Sequence, residues 1–334
     1  MATYYGKKYK MLELRHQAKE ILLTVRIALK SKELGKPAME KPACIAMVDG
    51  NAFHGGMCDR FKGIISLYAY CKYRGIPFRI RYTYPFKLED YLQPAAYDWT
   101  LKKGEYTDNP IYSRVLYMRG EHFATRLLNL KMKKQVHFYC NRDLLTHINE
   151  KYTLRGINGT PLDWGTLFCE LFKPGKILQK RIDTTKKDIG SDYYAAVFRF
   201  QNLLGDFHEY HFKALNDKGK EEKLITTCLD AIKMLVAEHG NRPLLVTADS
   251  TTFLKRAALI DGIYIIPGTL IHMDGQKHYD QENLYEAHLK SFLDFYMLSK
   301  AQKIYRIGTK QMYRSQFPVY AAMVHGIPFE SITI

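Results

Sequence analysis

At 334 residues the chain is long enough for two domains of ordinary size, each burying its own core. Hydrophobic residues make up 46% and charged residues 25%, a globular balance that excludes a disordered chain, and no apolar run approaches the roughly 20 residues needed to span a bilayer. The formal net charge is +16, and residues 1–150 hold 26 Lys and Arg against 14 Asp and Glu, so the excess belongs to the N-terminal half.

A basic half admits three partners: nucleic acid, an anionic membrane surface or an acidic substrate. No RRM, KH, zinc-finger or helix-turn-helix pattern supports nucleic acid. The six cysteines (Cys44, Cys58, Cys71, Cys140, Cys169, Cys228) form no CxxC pair, and the first residues lack a signal-peptide apolar core. Reduced thiols and a cytoplasmic location are the expectation, with a place at the inner face of a membrane left open.

Taken in chain order, residues 8–34 carry apolar side chains at helical spacing (Leu12, Leu14, Ile21, Leu22, Val25, Ala28, Leu29) with Lys and Arg between them. The spacing predicts a helix packed on its own domain, the alternative being a membrane-surface helix. Cys44–Gly50 reads as a short buried strand ending in a turn, followed by a helix over 60–74 and a strand over 78–82. Strands over 115–117 and 136–140 come next, with helices near 122–130 and 142–151. The second half continues with a strand over 194–200, a helix over 221–239, a strand over 243–247 and a helix over 251–259. A strand over 264–267, a helix over 285–299, a strand over 303–307 and a helix from Ser315-Gln316 to about Val324 complete it. Short apolar strands alternating with helices predict an α/β fold of two Rossmann-like domains with mainly parallel sheets, residues 1–185 and 186–334.

In such sheets a ligand lies beyond the carboxyl ends of the strands, in the loops that lead into helices. Four loops carry chemistry. In His54–Arg60, Gly55 and Gly56 let backbone N–H groups approach a ligand with no Cβ between, Arg60 opens the helix, and Asp59 is either its N-cap or a carboxylate in the cleft. Arg199 stands at the apolar end of a strand, where a charge needs a partner; Asp206 is one candidate and phosphate oxygens are another. Asp249-Ser250-Thr251 follows the next strand and reads as a helix cap. Thr309 lies in the loop before Ser315-Gln316-Phe317, where a helix start with capping hydroxyls is an anion seat. Asp206 with His208 and His211 could hold a metal, although a solvated loop is the simpler reading. No D-x-D occurs, nor any P-loop, nucleophile elbow or dinucleotide fingerprint.

Together these segments resemble the fucosyltransferase-fold (GT-B) glycosyltransferases, the group of the nodulation, core and protein O-fucosyltransferases. The closing pattern D-x-x-x-L-S-x-A-D, G-T/S, S-x-F-S-x-x-A appears as Asp294, Leu298-Ser299, Ala301-Gln302, Gly308-Thr309, Ser315-Gln316-Phe317 and Tyr320-Ala321-Ala322. The family's G-G-x-x-N-R loop appears with Asp59 for Asn. Its H-x-R-x-x-D segment keeps Arg199 but has Val197 for His and Asn202 for Asp. Gln302 and Pro318 replace a frequent Asp and the second Ser.

The resemblance implies two facing domains and an inverting, metal-independent transfer of fucose from GDP-fucose to a glycan or glycolipid hydroxyl, with no cofactor besides that donor. It implies donor contacts from Gly55, Gly56, Arg60, Arg199, Asp249, Ser250, Thr251, Thr309, Ser315, Gln316 and Phe317. Arg199 would meet the leaving diphosphate, Asp249 the guanine or ribose, and Asp59 is the candidate base. Assembly of a cell-surface polysaccharide or glycolipid follows from the family's habits, and peripheral membrane association is left open by the basic N-terminal half. Another nucleotide-sugar donor, or a non-catalytic nucleotide- or glycan-binding module, remains as an alternative.

Overall fold

The structure, a computed structural model, describes residues 2–39, 41–118, 124–153, 160–207, 213–240, 242–271 and 281–334, with backbone alone for 2–10, 153 and 281. In chain order the first half runs α1 (Ala2–Lys30), β1 (Cys44–Val48), α2 (Met57–Arg74), β2 (Phe78–Tyr82), β3 (Leu92–Pro94), β4 (Ser113–Met118), α3 (Ala124–Leu128), β5 (Gln135–Cys140), α4 (Leu145–Thr153) and α5 (Trp164–Leu171). It continues as β6 (Phe172–Pro174), α6 (Lys176–Ile189), β7 (Tyr194–Phe198), α7 (Lys218–His239), β8 (Leu244–Ala248) and α8 (Thr251–Ala257). Last come β9 (Ile263–Tyr264), α9 (Gln281–Leu298), β10 (Ile304–Gly308), α10 (Phe317–His325) and β11 (Phe329–Thr333).

The chain divides into two compact units, the first made of residues 1–88 and 94–172 and the second of 89–93 and 173–334. The unit boundary at Phe172–Lys173 precedes α6, whereas the sequence suggested one near Thr185, inside that helix. Leu178, Ile182, Thr185 and Ile189 form the buried face of α6, and its partner helix α9 belongs to the second unit. Residues 89–93 also join the second unit: Tyr91 stacks on Tyr285 and Phe292, and its hydroxyl donates to the Tyr285 carbonyl at 3.2 Å.

Unit 1 holds a four-stranded sheet in the order β2-β1-β5-β4, all parallel. All five residues of β1 are buried, the continuous apolar pattern of a strand covered on both faces. Helix α2 approaches this sheet so closely that a Cβ on Gly63 would lie 1.9 Å from the Cys140 carbonyl oxygen. The Tyr117 amide on β4 donates to Glu20 Oε1 at 2.9 Å, and Glu20 also pairs with both Arg126 nitrogens at 2.8 and 2.9 Å. Helix α1 is thereby fixed against β4 through Glu20, with Ile27 buried beside it. This inverts one expectation. The apolar stripe read from the sequence does not pack on the domain, since Ile21 is 67%, Leu22 69%, Val25 48% and Leu29 82% exposed.

Unit 2 holds a five-stranded parallel sheet in the order β11-β10-β7-β8-β9. Phe198 pairs with Ala248, and Arg306 on β10 pairs with Val197 on β7. Strand β7 ends at Phe198, two residues short of the expectation, because the Phe200 and Gln201 amides turn away to a carboxylate rather than to a neighbouring strand. The edge strand β11 was not anticipated; its Phe329 and Ile332 are half-buried, and Glu330, Ser331 and Thr333 are exposed.

Candidate functional site

In unit 2 the chain leaves β7 toward β8 on one side, while β10 lies on the other side of β7. The strand order therefore reverses between β7 and β10, and the crevice at such a switch point is where open α/β sheets bind ligands. Two loops flank it: residues 199–207 after β7 and 309–316 after β10. The loop after β8 begins at Asp249 on the same edge. The parallel sheet thus gathers eight of the sequence-derived residues, Arg199 with Asp249, Ser250, Thr251, Thr309, Ser315, Gln316 and Phe317, at one end of unit 2.

Arg199 is the charged centre of this edge. Its Nη1 lies 3.1 Å from Asp249 Oδ2, so among the described residues it pairs with Asp249 and not with Asp206. The guanidinium also lies over the Phe207 ring, 4.6 Å from its centroid. About a quarter of the side chain remains exposed, 23% against 2% for Asp249.

Asp249, for which the resemblance implied a nucleoside contact, holds the loop after β7. Its Oδ1 accepts the Phe200 N–H and its Oδ2 the Gln201 N–H, both at 2.7 Å. Burial pushes its carboxyl above the usual carboxylate range, against the Arg199 charge and those amide bonds. Gln201, at φ 53, takes the left-handed conformation that this grip demands. The carboxylate therefore shapes the loop that holds Arg199.

The helix cap of α8 is Ser250, whose Oγ accepts the Phe253 N–H at 3.1 Å and donates to Asp206 Oδ2 at 2.8 Å. Asp206 Oδ2 also accepts the Thr252 N–H at 2.8 Å and the Thr251 hydroxyl at 3.3 Å. The hydroxyls of Ser250 and Thr251 are thus committed to tying one loop to the next helix. His208 and His211, weighed with Asp206 as metal ligands, lie outside the described residues.

At α10 the cap position is Gln316, which makes no side-chain cap bond; Ser315 Oγ accepts the Phe317 N–H at 3.2 Å instead. Pro318 has no N–H to offer, so the first turn is poorer in free donors than the anion-seat reading required. Gln316 is exposed, and Phe317 is half-buried with its ring edge-on to Phe295. Thr309 Oγ1 accepts the Gln311 N–H at 3.3 Å, which closes the turn after β10. Sequence reasoning missed Arg306, whose Nη1 donates to the Ser315 carbonyl at 3.0 Å and whose other nitrogens meet Ser331 Oγ. Only the register of β10 against β11 brings Ser331 there.

Unit 1 has its own switch point between β1 and β5, and the loop 49–56 emerges from it. Gly55, at φ +76, is required: a Cβ there would sit 2.6 Å from Asp59 Oδ2. Gly56 is the N-cap of α2 in an extended conformation with open space around it, so the N-cap role proposed for Asp59 falls to Gly56. Asp59 is 43% exposed and pairs with Lys62 at 3.0 Å. Arg60 is buried, and its guanidinium bonds the Gly55 carbonyl at 2.9 Å, the Tyr82 hydroxyl at 2.9 Å and the Tyr84 carbonyl at 2.8 Å. It pins the glycine loop to the end of β2.

A second cluster at this end was not foreseen. Asp49 accepts the Tyr139 hydroxyl at 2.8 Å, the Asn51 N–H at 2.9 Å and the Asn51 side-chain amide at 2.7 Å. His54 Nε2 accepts the Gly50 N–H at 3.1 Å, and burial, helped by the Arg60 charge and opposed by Asp49, brings its pKa down to about 4. The imidazole is neutral. The acidic turn Asp49-Gly50-Asn51 after an apolar strand was the signal that could have found it.

No protein-family model matches the chain, and no curated protein matches it. Solved structures do. A NodZ α-1,6-fucosyltransferase co-crystallised with GDP superimposes with a TM-score of 0.51 at 12% identity, over 85% of this chain and 92% of that one. Fucosyltransferase NodZ from Bradyrhizobium gives 0.50 at 11% identity, over 85% and 92%. A variant of Arabidopsis thaliana FUT1 in complex with GDP gives 0.55 at 12% identity, over 92% of this chain and 74% of that one. The α/β architecture with two parallel sheets described above is the fold of these GT-B-type fucosyltransferases.

Proposed function

We propose that the chain is an inverting glycosyltransferase that transfers fucose from GDP-fucose to a hydroxyl of a glycan or glycolipid without a metal ion. The observation that carries this reading is Arg199, fixed by Asp249 and Phe207 yet partly exposed at the switch point of a sheet whose fold is that of fucosyltransferases. NodZ has been co-crystallised with GDP and soaked with GDP-fucose, which motivates the donor.

In the proposed reaction an acceptor oxygen forms a bond to the anomeric carbon as the bond from that carbon to the GDP β-phosphate oxygen breaks on the opposite face. The hydroxyl proton passes to a base and the electron pair departs with the diphosphate. Arg199 neutralises the growing negative charge, and Thr309, Ser315, Gln316 and Phe317 line the nucleotide. Asp249, Ser250 and Thr251 act through the loops they hold. In unit 1 we assign the Gly55-Gly56 loop, pinned by Arg60, to the sugar and acceptor, with Asp59 as the base. The absence of a D-x-D sequence supports a mechanism without metal. Polysaccharide biosynthesis in the cytoplasm is the setting this acceptor class suggests.

The inward position of Asp249 favours a second reading, another nucleotide-sugar donor, because no base-reading carboxylate remains among the assigned residues. Thermal stabilisation by GDP, UDP, ADP and CMP, each with and without EDTA, separates the two. A shift selective for GDP and indifferent to EDTA is expected. Selectivity for UDP would replace the donor, and silence toward every nucleotide would leave a non-catalytic module.

A further inference from the structure

We infer that α1 is an interfacial helix that lays its outward face on an anionic phospholipid surface. Two rows of side chains carry the argument. Met11, Leu14, Ile21, Leu22, Val25 and Leu29 are all exposed and follow helical spacing, a stripe of about 27 Å along the axis. Beside it, Arg15, Lys19, Arg26 and Lys30 are also exposed and recur at the same spacing. The opposite face is the one the protein uses for itself: Glu20 and Ile27 are buried against β4.

A soluble helix normally turns its apolar stripe inward, and an exposed one of this length needs an occupant. The charge row selects it. Apolar side chains enter the acyl boundary while neighbouring Lys and Arg stems reach the phosphates, the arrangement of helices that lie in the plane of a membrane. A second copy of this chain would bring another row of like charges to the same seam, which disfavours self-association. Among the described residues no helix is long and apolar enough to cross a bilayer, so the contact is with the surface alone. The inference is independent of the donor chemistry.

The test is co-sedimentation of the full chain with phosphatidylcholine vesicles, with and without phosphatidylglycerol, at low and high salt. Sedimentation that requires phosphatidylglycerol and weakens with salt is expected. The combined variant Leu14→Gln, Ile21→Gln, Val25→Gln and Leu29→Gln changes only exposed positions; it should keep the melting temperature and bind at least about a hundredfold more weakly. Replacing Arg15, Lys19, Arg26 and Lys30 by Gln should weaken binding at least about tenfold and flatten its salt dependence. Failure of the wild-type chain to sediment, or wild-type binding by the first variant, would overturn the inference. So would a doubling of the 38.9 kDa mass in solution that the first variant abolishes, since the stripe would then be a seam between copies.

Discussion

Arg199 and Asp249 face each other at 3.1 Å, one partly exposed and one buried, and the same carboxylate holds the two amides that follow the arginine. One residue on β8's loop therefore sets both the charge balance and the direction of the guanidinium on β7's loop. The two effects separate by mutation. Arg199→Lys keeps a positive charge opposite Asp249 but loses the planar fork. Its melting temperature should stay near wild type while kcat falls on the order of 10²–10³. Wild-type transfer by this variant would take Arg199 out of the mechanism.

Asp249→Ala strips three partners at once and leaves buried amides without an acceptor. Loss of about 3–5 kcal/mol is expected in denaturant unfolding of the second unit. Asp249→Asn keeps the shape with weaker acceptance and should fall between the two. A fully stable alanine variant would contradict the clamp.

The start of α10 gives a gain-of-function test. Pro318 removes an N–H from the first turn, and Pro318→Ser restores it. A charge-assisted hydrogen bond of roughly 1.5 kcal/mol corresponds to about tenfold tighter GDP binding, measured by titration calorimetry. An unchanged Kd would show that this turn does not meet the phosphates.

Gly63 tests the packing of unit 1. A methyl group there would meet the Cys140 carbonyl at 1.9 Å, and backbone cannot swing aside as a side chain does. Gly63→Ala should cost about 1–3 kcal/mol or more by overpacking, read as a lower denaturant midpoint. An alanine variant as stable as wild type would mean that α2 can lift from β5 freely.

Acid should weaken unit 1 through two buried imidazoles. Burial and the Arg81 charge hold His137 down to about 3, and His54 is held at about 4. As pH falls below about 6.5, the unfolded chain takes up these protons and the folded chain does not. Their stabilising contribution is complete above about 6.5 and is lost as pH falls toward the folded values. Each ring should cost about 1.4 kcal/mol per pH unit in that window. His137→Phe keeps the stack on Tyr106, whose centroid lies 4.8 Å away, and should flatten the slope of stability against pH between about 6.5 and 4. An unchanged slope would show that His137 titrates normally.

Much of the fold was legible because period and composition are local properties. The wholly apolar run Cys44–Val48 reads as a strand covered on both faces, and Phe78–Tyr82 alternates as a strand with one buried face does. The Gly55-Gly56 pair was read correctly as a turn between strand and helix, since glycines interrupt the apolar run, whereas Arg199, read as the end of a strand, lies just beyond β7. The direction in which a polar side chain points was not legible. Asp249 reads as a cap beside Ser250 in the sequence, yet its carboxylate reaches the amides of Phe200 and Gln201, which only the pairing of β7 with β8 brings within reach.

By itself the sequence determined the α/β class, the parallel sheets and the loops that carry chemistry, because these follow from spacing along one chain. Tertiary structure alone decided which groups are spent internally and which face outward. It turned Asp249, Ser250 and Arg60 toward backbone and neighbouring side chains, and it turned the apolar stripe of α1 toward solvent. Hydrophobic spacing says that a helix has an apolar face. Which face a helix buries is settled by its partners, here Glu20 reaching Arg126 and the Tyr117 amide far along the chain.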